Sequence, residues 1–237
     1  FSVDSSGNIS LVNSLDYETA TSHTLTLNAS DGVNTSTSEL IITVDDVNEA
    51  PSLTNALAAS SFAENVSTGT TIATASASDP ESQAITYSLS GTGSGNFAVD
   101  SSGNITLAAG LDYETATSYS LTLSASDGVN TTTNTLAISI SDVNEAPSLT
   151  NALAASSFAE NVATGTTIAT TSATDPESQT ITYSLSGTGS DKFAVDSVGN
   201  ITLSSALDYE TTTSYALTLT ASDGTNSTSN TINISVA

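Results

Sequence analysis

Carboxylates recur in this chain at short polar segments rather than along its apolar stretches. Between residues 50 and 145 they are Glu64 in AEN, Asp79 and Glu81 in DPE, Asp112 and Glu114 in LDYE, Asp127 in SDG, and Asp142 and Glu145 in DVNEAP. Several acids of one sign, with asparagine and backbone carbonyls, make a hard-oxygen ligand set. The chain has no cysteine and a single histidine, so that set suits calcium rather than zinc or copper. Without a cation such groups repel one another and splay the segment that carries them. DVNEAP stands at 46–51 and again at 142–147. Its proline removes a backbone donor and stiffens the chain that follows.

Composition narrows the possible partners. Among 237 residues there are 25 Asp and Glu against 1 Lys and Arg, a net charge of −24. Lys192 and His23 cannot build a basic patch for nucleic acid. An anionic membrane repels such a chain, and no apolar run approaches the roughly 20 residues of a spanning helix, so direct membrane insertion is not expected. Without cysteine there is no disulfide framework. A merely solvated acidic surface would scatter acids over outward strand positions, but those positions hold Ser and Thr.

Catalysis is not expected. His23 corresponds to Tyr119 and Tyr215 in sister segments, which marks a strand position rather than a base. DSSGN lacks the G-x-S-x-G elbow and a partner base. Paired acids in LDYE could do glycosidase chemistry, but their recurrence argues for a structural role.

The elements that must position these groups repeat with a fixed period. LDYET falls at 15–19, 111–115 and 207–211, a spacing of 96 residues, and FAEN falls at 62–65 and 158–161. That period is too long for a solenoid repeat and is the size of one β-sandwich. YSLTLSAS (119–126) alternates apolar and polar residues, as do SELIITV (38–44), TTIATASAS (70–78), AITYSLSG (84–91) and NTLAISIS (134–141). Alternation of this kind predicts half-buried strands, about seven per repeat, with turns at SDGVN and DSSGNI. The expected fold is all-β, a tandem of Greek-key, immunoglobulin-like sandwiches. Taking DVNEAP as the joint divides the chain into 1–49, 50–145 and 146–237. The chain opens inside a repeated motif, so 1–49 reads as the C-terminal half of a truncated repeat with a partly exposed core. Residues 146–237 read as a repeat lacking its C-terminal linker.

AEN, LDYE, DVNEAP, DPE and SDG, in this arrangement at this period, resemble the cadherin set PEN, LDRE, DxNDNxP, DxD and xDx. The resemblance covers the whole chain. It implies cadherin-like sandwiches with up to three calcium ions at each joint, held from the upper repeat, the linker and the lower repeat. At the second joint it implies Glu64, Asp112 and Glu114 from above. The linker would supply Asp142, the Val143 carbonyl, Asn144, Glu145 and the Ala146 carbonyl, and Asp175, Glu177 and Asp223 would come from below. At the first joint it implies Asp16, Glu18, Asp46, Val47, Asn48, Glu49, Ala50, Asp79, Glu81 and Asp127. The AEN glutamate of that upper repeat would precede residue 1, so the first site is expected to be the weaker.

The chain departs from the family pattern at several places. Glu49 and Glu145 stand where cadherins usually carry Asp, DPE replaces DxD, and LDYE has Tyr in place of Arg. There is no Trp, so strand-swap adhesion through a tryptophan is unsupported. Near-identical neighbouring repeats, rich in Ser, Thr, Ala and Asn and poor in Lys, are similar to the cadherin-like repeats of giant bacterial surface adhesins of the RTX, type I-secreted kind. The resemblance implies an extracellular or cell-surface extender of calcium-stiffened domains, whose partners are other repeats of the same protein. The alternative is a calcium-dependent module binding surface polysaccharide, or identical molecules on other cells. Tyr113 is the leading candidate for an exposed sugar platform.

Overall fold

The computed structural model describes residues 1–55, 57–150 and 156–237. Its regular structure is β-strand, with two single 3-10 turns at Ser94–Asn96 and Ser190–Lys192. Among the described residues no helix is long and apolar enough to cross a membrane. The chain divides into two compact units, Phe1–Asp112 with Ala116–Ser141, and Tyr113–Thr115 with Asp142–Ala237.

In the first unit, the strands between residues 60 and 141 form a seven-stranded sandwich. One sheet runs Ser60–Ala63, Thr131–Ser141, Ser118–Ser126, Thr86–Ser90 in spatial order; the other runs Phe97–Val99, Asn104–Leu107, Thr71–Thr74. All neighbours are antiparallel except Ser60–Ala63, which pairs parallel to Thr131–Ser141. The second unit repeats this order 96 residues later, with Ser156–Phe158, Ser227–Val236, Ser214–Ser222 and Thr182–Gly187 facing Thr167–Thr170, Asn200–Leu203 and Phe193–Val195. The expected all-β tandem sandwich is therefore the observed fold.

Period-two alternation explains the core. Leu121, Leu123 and Ala125 point inward and are fully buried, as are Leu136 and Ile105. Ser and Thr alternate outward. Each buried Leu or Ile contributes roughly 1.5–3 kcal/mol. The rings of Phe97 and Tyr119 meet edge-on at 5.3 Å, and those of Phe193 and Tyr215 at 5.4 Å. His23 sits at the equivalent place and meets Phe1 edge-on at 5.5 Å. That is a packing position, as its tyrosine counterparts indicate.

One expected strand is broken. TTIATASAS separates into Thr71–Thr74 and Ala77–Ser78. At the break the Ala75 N–H donates to Gly103 O, and the second piece pairs instead with Ser52–Leu53. The strand changes partner here, which alternation alone does not reveal.

Segment 1–49 forms two hairpins, Ser2–Val3 with Ile9–Ser10 and Ser22–Ser30 with Thr35–Thr43. Leu40 is 40% exposed, whereas its counterpart Leu136 is buried. Gly7 and Gly103 occupy the same turn with φ near +83° and +82°. A Cβ on Gly103 would lie 2.2 Å from Ala75 O, while one on Gly7 would meet nothing within 4 Å. Gly103→Ala is expected to lose about 1–2 kcal/mol from the left-handed backbone alone, and more from the clash. Gly7→Ala should lose only the first part. Urea midpoints of the two variants check this difference.

Candidate metal centre

Three loop types carry the acids, and each is held by local hydrogen bonds. In LDYET, Asp16 Oδ1 accepts from the Thr19 N–H at 3.0 Å, and Asp208 accepts from Thr211 N–H and Oγ1 at 3.2 and 2.8 Å. These short side chains close a one-turn loop that exposes Glu18 and Glu210. In DPESQ, Asp79 Oδ1 accepts from the Gln83 N–H at 2.9 Å, and Asp175 Oδ1 from the Gln179 N–H at 2.9 Å. Ser82 and Ser178 lie in the left-handed region at φ 59° and 60°, the non-glycine positions that do so among the described residues. Strain of this kind persists where surroundings impose it, often at functional sites. In SDG, Asp127 Oδ1 accepts from the Val129 and Asn130 N–H groups at 2.7 and 2.6 Å.

These loops and DVNEAP bring carboxylates together. Oxygens of Glu18, Asp46 and Glu81 lie within 4.8 Å of one another in the first unit, and those of Glu114, Asp142 and Glu177 do so in the second. The two clusters are equivalent across one period. Glu64, which is buried, and Asp112 also approach within 4.8 Å. At the first joint Asp16, Glu18 and Glu49 line an open cleft beside Pro80.

The interior of these clusters is polar but unsatisfied. Asp79 Oδ2 and both Glu81 carboxylate oxygens are buried without a hydrogen-bond partner, as are Asp175 Oδ2 and both Glu177 oxygens. Buried acceptors of this kind are costly unless something donates to them. Glu49 illustrates the conflict. The facing Glu81 carboxylate, to which a protonated Glu49 could donate, then burial and the charges of Glu81, Glu18 and Asp46, push it up to about 7. Glu81 is correspondingly held below its ordinary value, first by the Glu49 carboxyl that faces it. With both groups ionised neither can donate; a proton on Glu49 would supply the partner Glu81 lacks. Glu177 is likewise lowered, first by the Glu145 carboxyl that faces it. Glu18 is drawn down by its own backbone N–H, but burial and the charges of Glu81, Asp46 and Asp16 outweigh this and raise it. A divalent cation would relieve all these groups at once. The donor set, carboxylates and carbonyls only, fits calcium.

Asn48, Asp127, Asn144 and Asp223 are engaged differently. Asn48 Nδ2 donates to Asp127 Oδ2 at 2.8 Å, and Asn144 Nδ2 to Asp223 Oδ2 at 2.8 Å. Burial pushes Asp127 and Asp223 up, but their backbone and asparagine donors win and lower both. Two groupings were not anticipated. Glu160, Asp208 and Glu210 converge within 4.8 Å, one period after Glu64, Asp112 and Glu114; their recurrence in FAEN and LDYE was the available signal. Gln83, Gln179, Asn130 and Asn226 reach the linker asparagines, and no spacing rule pointed to them.

The cadherin domain is matched over residues 59–141 and 155–237. The chain belongs to the cadherin family, a family of extracellular adhesion proteins rather than enzymes. It is 38% identical over 207 residues to the protocadherin-like wing polarity protein stan of Drosophila melanogaster, covering 80% of this chain and 6% of that protein. It is 34% identical over 232 residues to human protocadherin Fat 4, covering 91% of this chain and 5% of that protein. The chain thus spans a small part of these relatives. The solved structure of PcdhgB3 EC1-4 superposes with a TM-score of 0.60 at 26% identity, covering 100% of this chain and 63% of that one.

Proposed function

We propose that these repeats are calcium-stiffened extender domains of a cell-surface or secreted adhesion protein. The observation that carries the reading is the pair of equivalent acid clusters, with buried oxygens of Glu81 and Glu177 within them, and of the nearby DPE aspartates Asp79 and Asp175, that have no donor. Cadherin domains generally bind calcium, and the family membership supports calcium here. At the first joint the ions would be held by Asp16, Glu18, Asp46, Asn48, Glu49, Asp79, Glu81 and Asp127, with the Val47 and Ala50 carbonyls. In the second unit Glu114, Asp142, Asn144, Glu145, Asp175, Glu177 and Asp223 would serve, with the Val143 and Ala146 carbonyls. Glu64 and Asp112 are proposed as ligands likewise. When bound, calcium supplies positive charge that lets these carboxylates stay ionised and close. The chain's own contribution is to hold them there with the Asp-capped loops. The repeat boundaries 1–49, 50–145 and 146–237 are proposed on the same basis, as is the count of up to three ions per joint.

The parent protein is proposed to be a large bacterial adhesin, on the near-identity of neighbouring repeats and the Lys-poor, Ser/Thr-rich composition. The relatives reported above are animal proteins. Glycine-aspartate nonapeptide repeats in the flanking sequence would support type I export, and a membrane helix with a cytoplasmic tail would favour a cell–cell cadherin instead. Tyr113, the expected sugar platform, is half-buried rather than exposed, whereas its equivalent Tyr209 is 46% exposed; Tyr209 is the residue that favours polysaccharide as a second ligand class, read on a glycan array. Small-angle scattering in calcium and in chelator tests the extender reading. The maximum dimension should grow and the curve sharpen with calcium; identical curves would refute it.

A further inference from the structure

The two main sheets of each sandwich end in four edge strands, and three of the four are guarded. Ser60–Ala63 and Ser156–Phe158 are four and three residues long, and Phe97–Val99 and Phe193–Val195 are three each. Thr71–Thr74 and Thr167–Thr170 pair through a register shift. Short strands and bulges keep a sheet edge from recruiting another chain. The fourth edge, Thr86–Ser90 in the first unit and Thr182–Gly187 in the second, has neither device. It runs five or six residues in unbroken register. It reads TYSLS in both units, with no charge and no proline. Among the described residues its backbone pairs on one side alone, with Ser118–Ser126 or Ser214–Ser222. Its inward side chains are left half-covered. Tyr87, Leu89, Tyr183 and Leu185 are partly buried, whereas Leu123 and Leu219 on the next strand are fully buried.

We propose that this edge is a self-pairing site, where a second copy of the chain adds antiparallel and continues the four-stranded sheet. The sequence fits itself about a two-fold axis. With Ser88 opposite Ser88, Tyr87 falls opposite Leu89 of the second copy, and Thr86 opposite Ser90. Hydroxyls then meet hydroxyls on the solvent face, and an aromatic ring meets an aliphatic chain on the core face, pairs that favour antiparallel strands. Residues 182–186 repeat the same sequence, so pairing between the two unlike edges is equally matched. Main-chain bonds supply the attraction, as in strand addition generally, and the half-covered Tyr and Leu side chains gain cover. The absence of charge explains why contact falls here. Two chains of net charge −24 repel one another, and acids opposite acids would oppose pairing; TYSLS contains none. Every strand stays in its own sandwich, so no segment is exchanged. The proposal deepens the adhesion reading, on which it rests, by naming the partner as a second copy. It uses no carboxylate of the acid clusters, so the calcium titration can fail while self-pairing stands.

Sedimentation velocity of the intact chain over a concentration series, in calcium, reads the pairing. Wild type should associate reversibly. Ser88→Lys with Ser184→Lys sets like charges at the centre of every pairing and should weaken association at least about tenfold. Both serines are exposed, so the variant should fold, which circular dichroism checks. The added lysines make the chain less negative, so an effect on long-range repulsion alone would strengthen association instead. Register is read by cysteine, since the chain has none. Under oxidation, Ser88→Cys with Ser184→Cys should link copies covalently, because facing Cβ atoms lie about 4.5–5.5 Å apart, close to disulfide reach. Thr86→Cys with Thr182→Cys faces serine rather than cysteine and should link far less. A chain that stays monomeric would overturn the proposal. So would association that survives the two lysines, including association lost instead in Leu25→Glu, which alters the open apolar cleft of segment 1–49. Equal cross-linking by both cysteine pairs, or by neither, would overturn it as well.

Discussion

Saturating calcium is expected to raise the melting temperature of this chain, and a chelator to lower it again. The clusters Glu18–Asp46–Glu81 and Glu114–Asp142–Glu177 each crowd three carboxylates within 4.8 Å. Buried oxygens beside them lack donors. A ligand that binds only the folded arrangement stabilises it by RT ln(1 + [L]/Kd), about 2.7 kcal/mol per site at a hundredfold excess over Kd. For a chain of this size that is a rise of roughly 5–10 °C per site. Magnesium should do much less, because it demands near-octahedral geometry and dehydrates reluctantly. Differential scanning calorimetry in calcium, magnesium and chelator reads this directly, and equal transitions in all three would remove the site.

Glu81→Ala and Glu177→Ala should change sign with calcium. In chelator each variant removes two buried acceptors that have no donor, together with their repulsion toward Glu18 or Glu114. It should therefore melt higher than wild type. In calcium it has lost a ligand from the centre of its cluster and should melt lower. A purely structural glutamate would move both transitions the same way. The pH dependence gives an independent readout. Glu49 is pushed up to about 7 from 4.5, first by the facing Glu81 carboxylate. The folded state then binds more protons than the unfolded chain between those values, so stability falls as pH rises through 7. The lowered Glu81 acts oppositely, and only below its ordinary range. Wild type in chelator should thus be more stable at pH 5.5 than at pH 8. Glu81→Ala should flatten that slope, because Glu49 loses its carboxylate neighbour. A slope unchanged in the variant would show that Glu81 does not set it.

Much of this was legible in the sequence, and the reasons are physical. A fixed 96-residue spacing of LDYET requires a sandwich-sized unit, and strict alternation around Leu121 and Leu123 requires one buried face. Both appear as expected. The acids were legible because they sit where Ser and Thr do not. Three things were hidden. The break at Ala75 depends on which strand supplies the next partner, a tertiary choice that alternation does not encode. Amide contacts join Gln83 to a residue 35 positions earlier and Asn130 to one 82 positions earlier, and amides carry no charge pattern to betray the pairing. The Glu160–Asp208–Glu210 cluster draws on neither DVNEAP segment, whereas FAEN and LDYE suffice to assemble those three acids.

Calorimetric titration of the intact chain with calcium bears most directly on whether these acids hold a metal. The account predicts saturable binding of at least two ions, one for each of the two equivalent clusters. Dissociation constants should fall near the 10⁻⁴–10⁻³ M typical of about this class of extracellular module, and binding at these clusters should be lost when Glu81 and Glu177 are both changed to Gln. Heats no larger than dilution up to ten-millimolar-order calcium, roughly tenfold above that range, would contradict it.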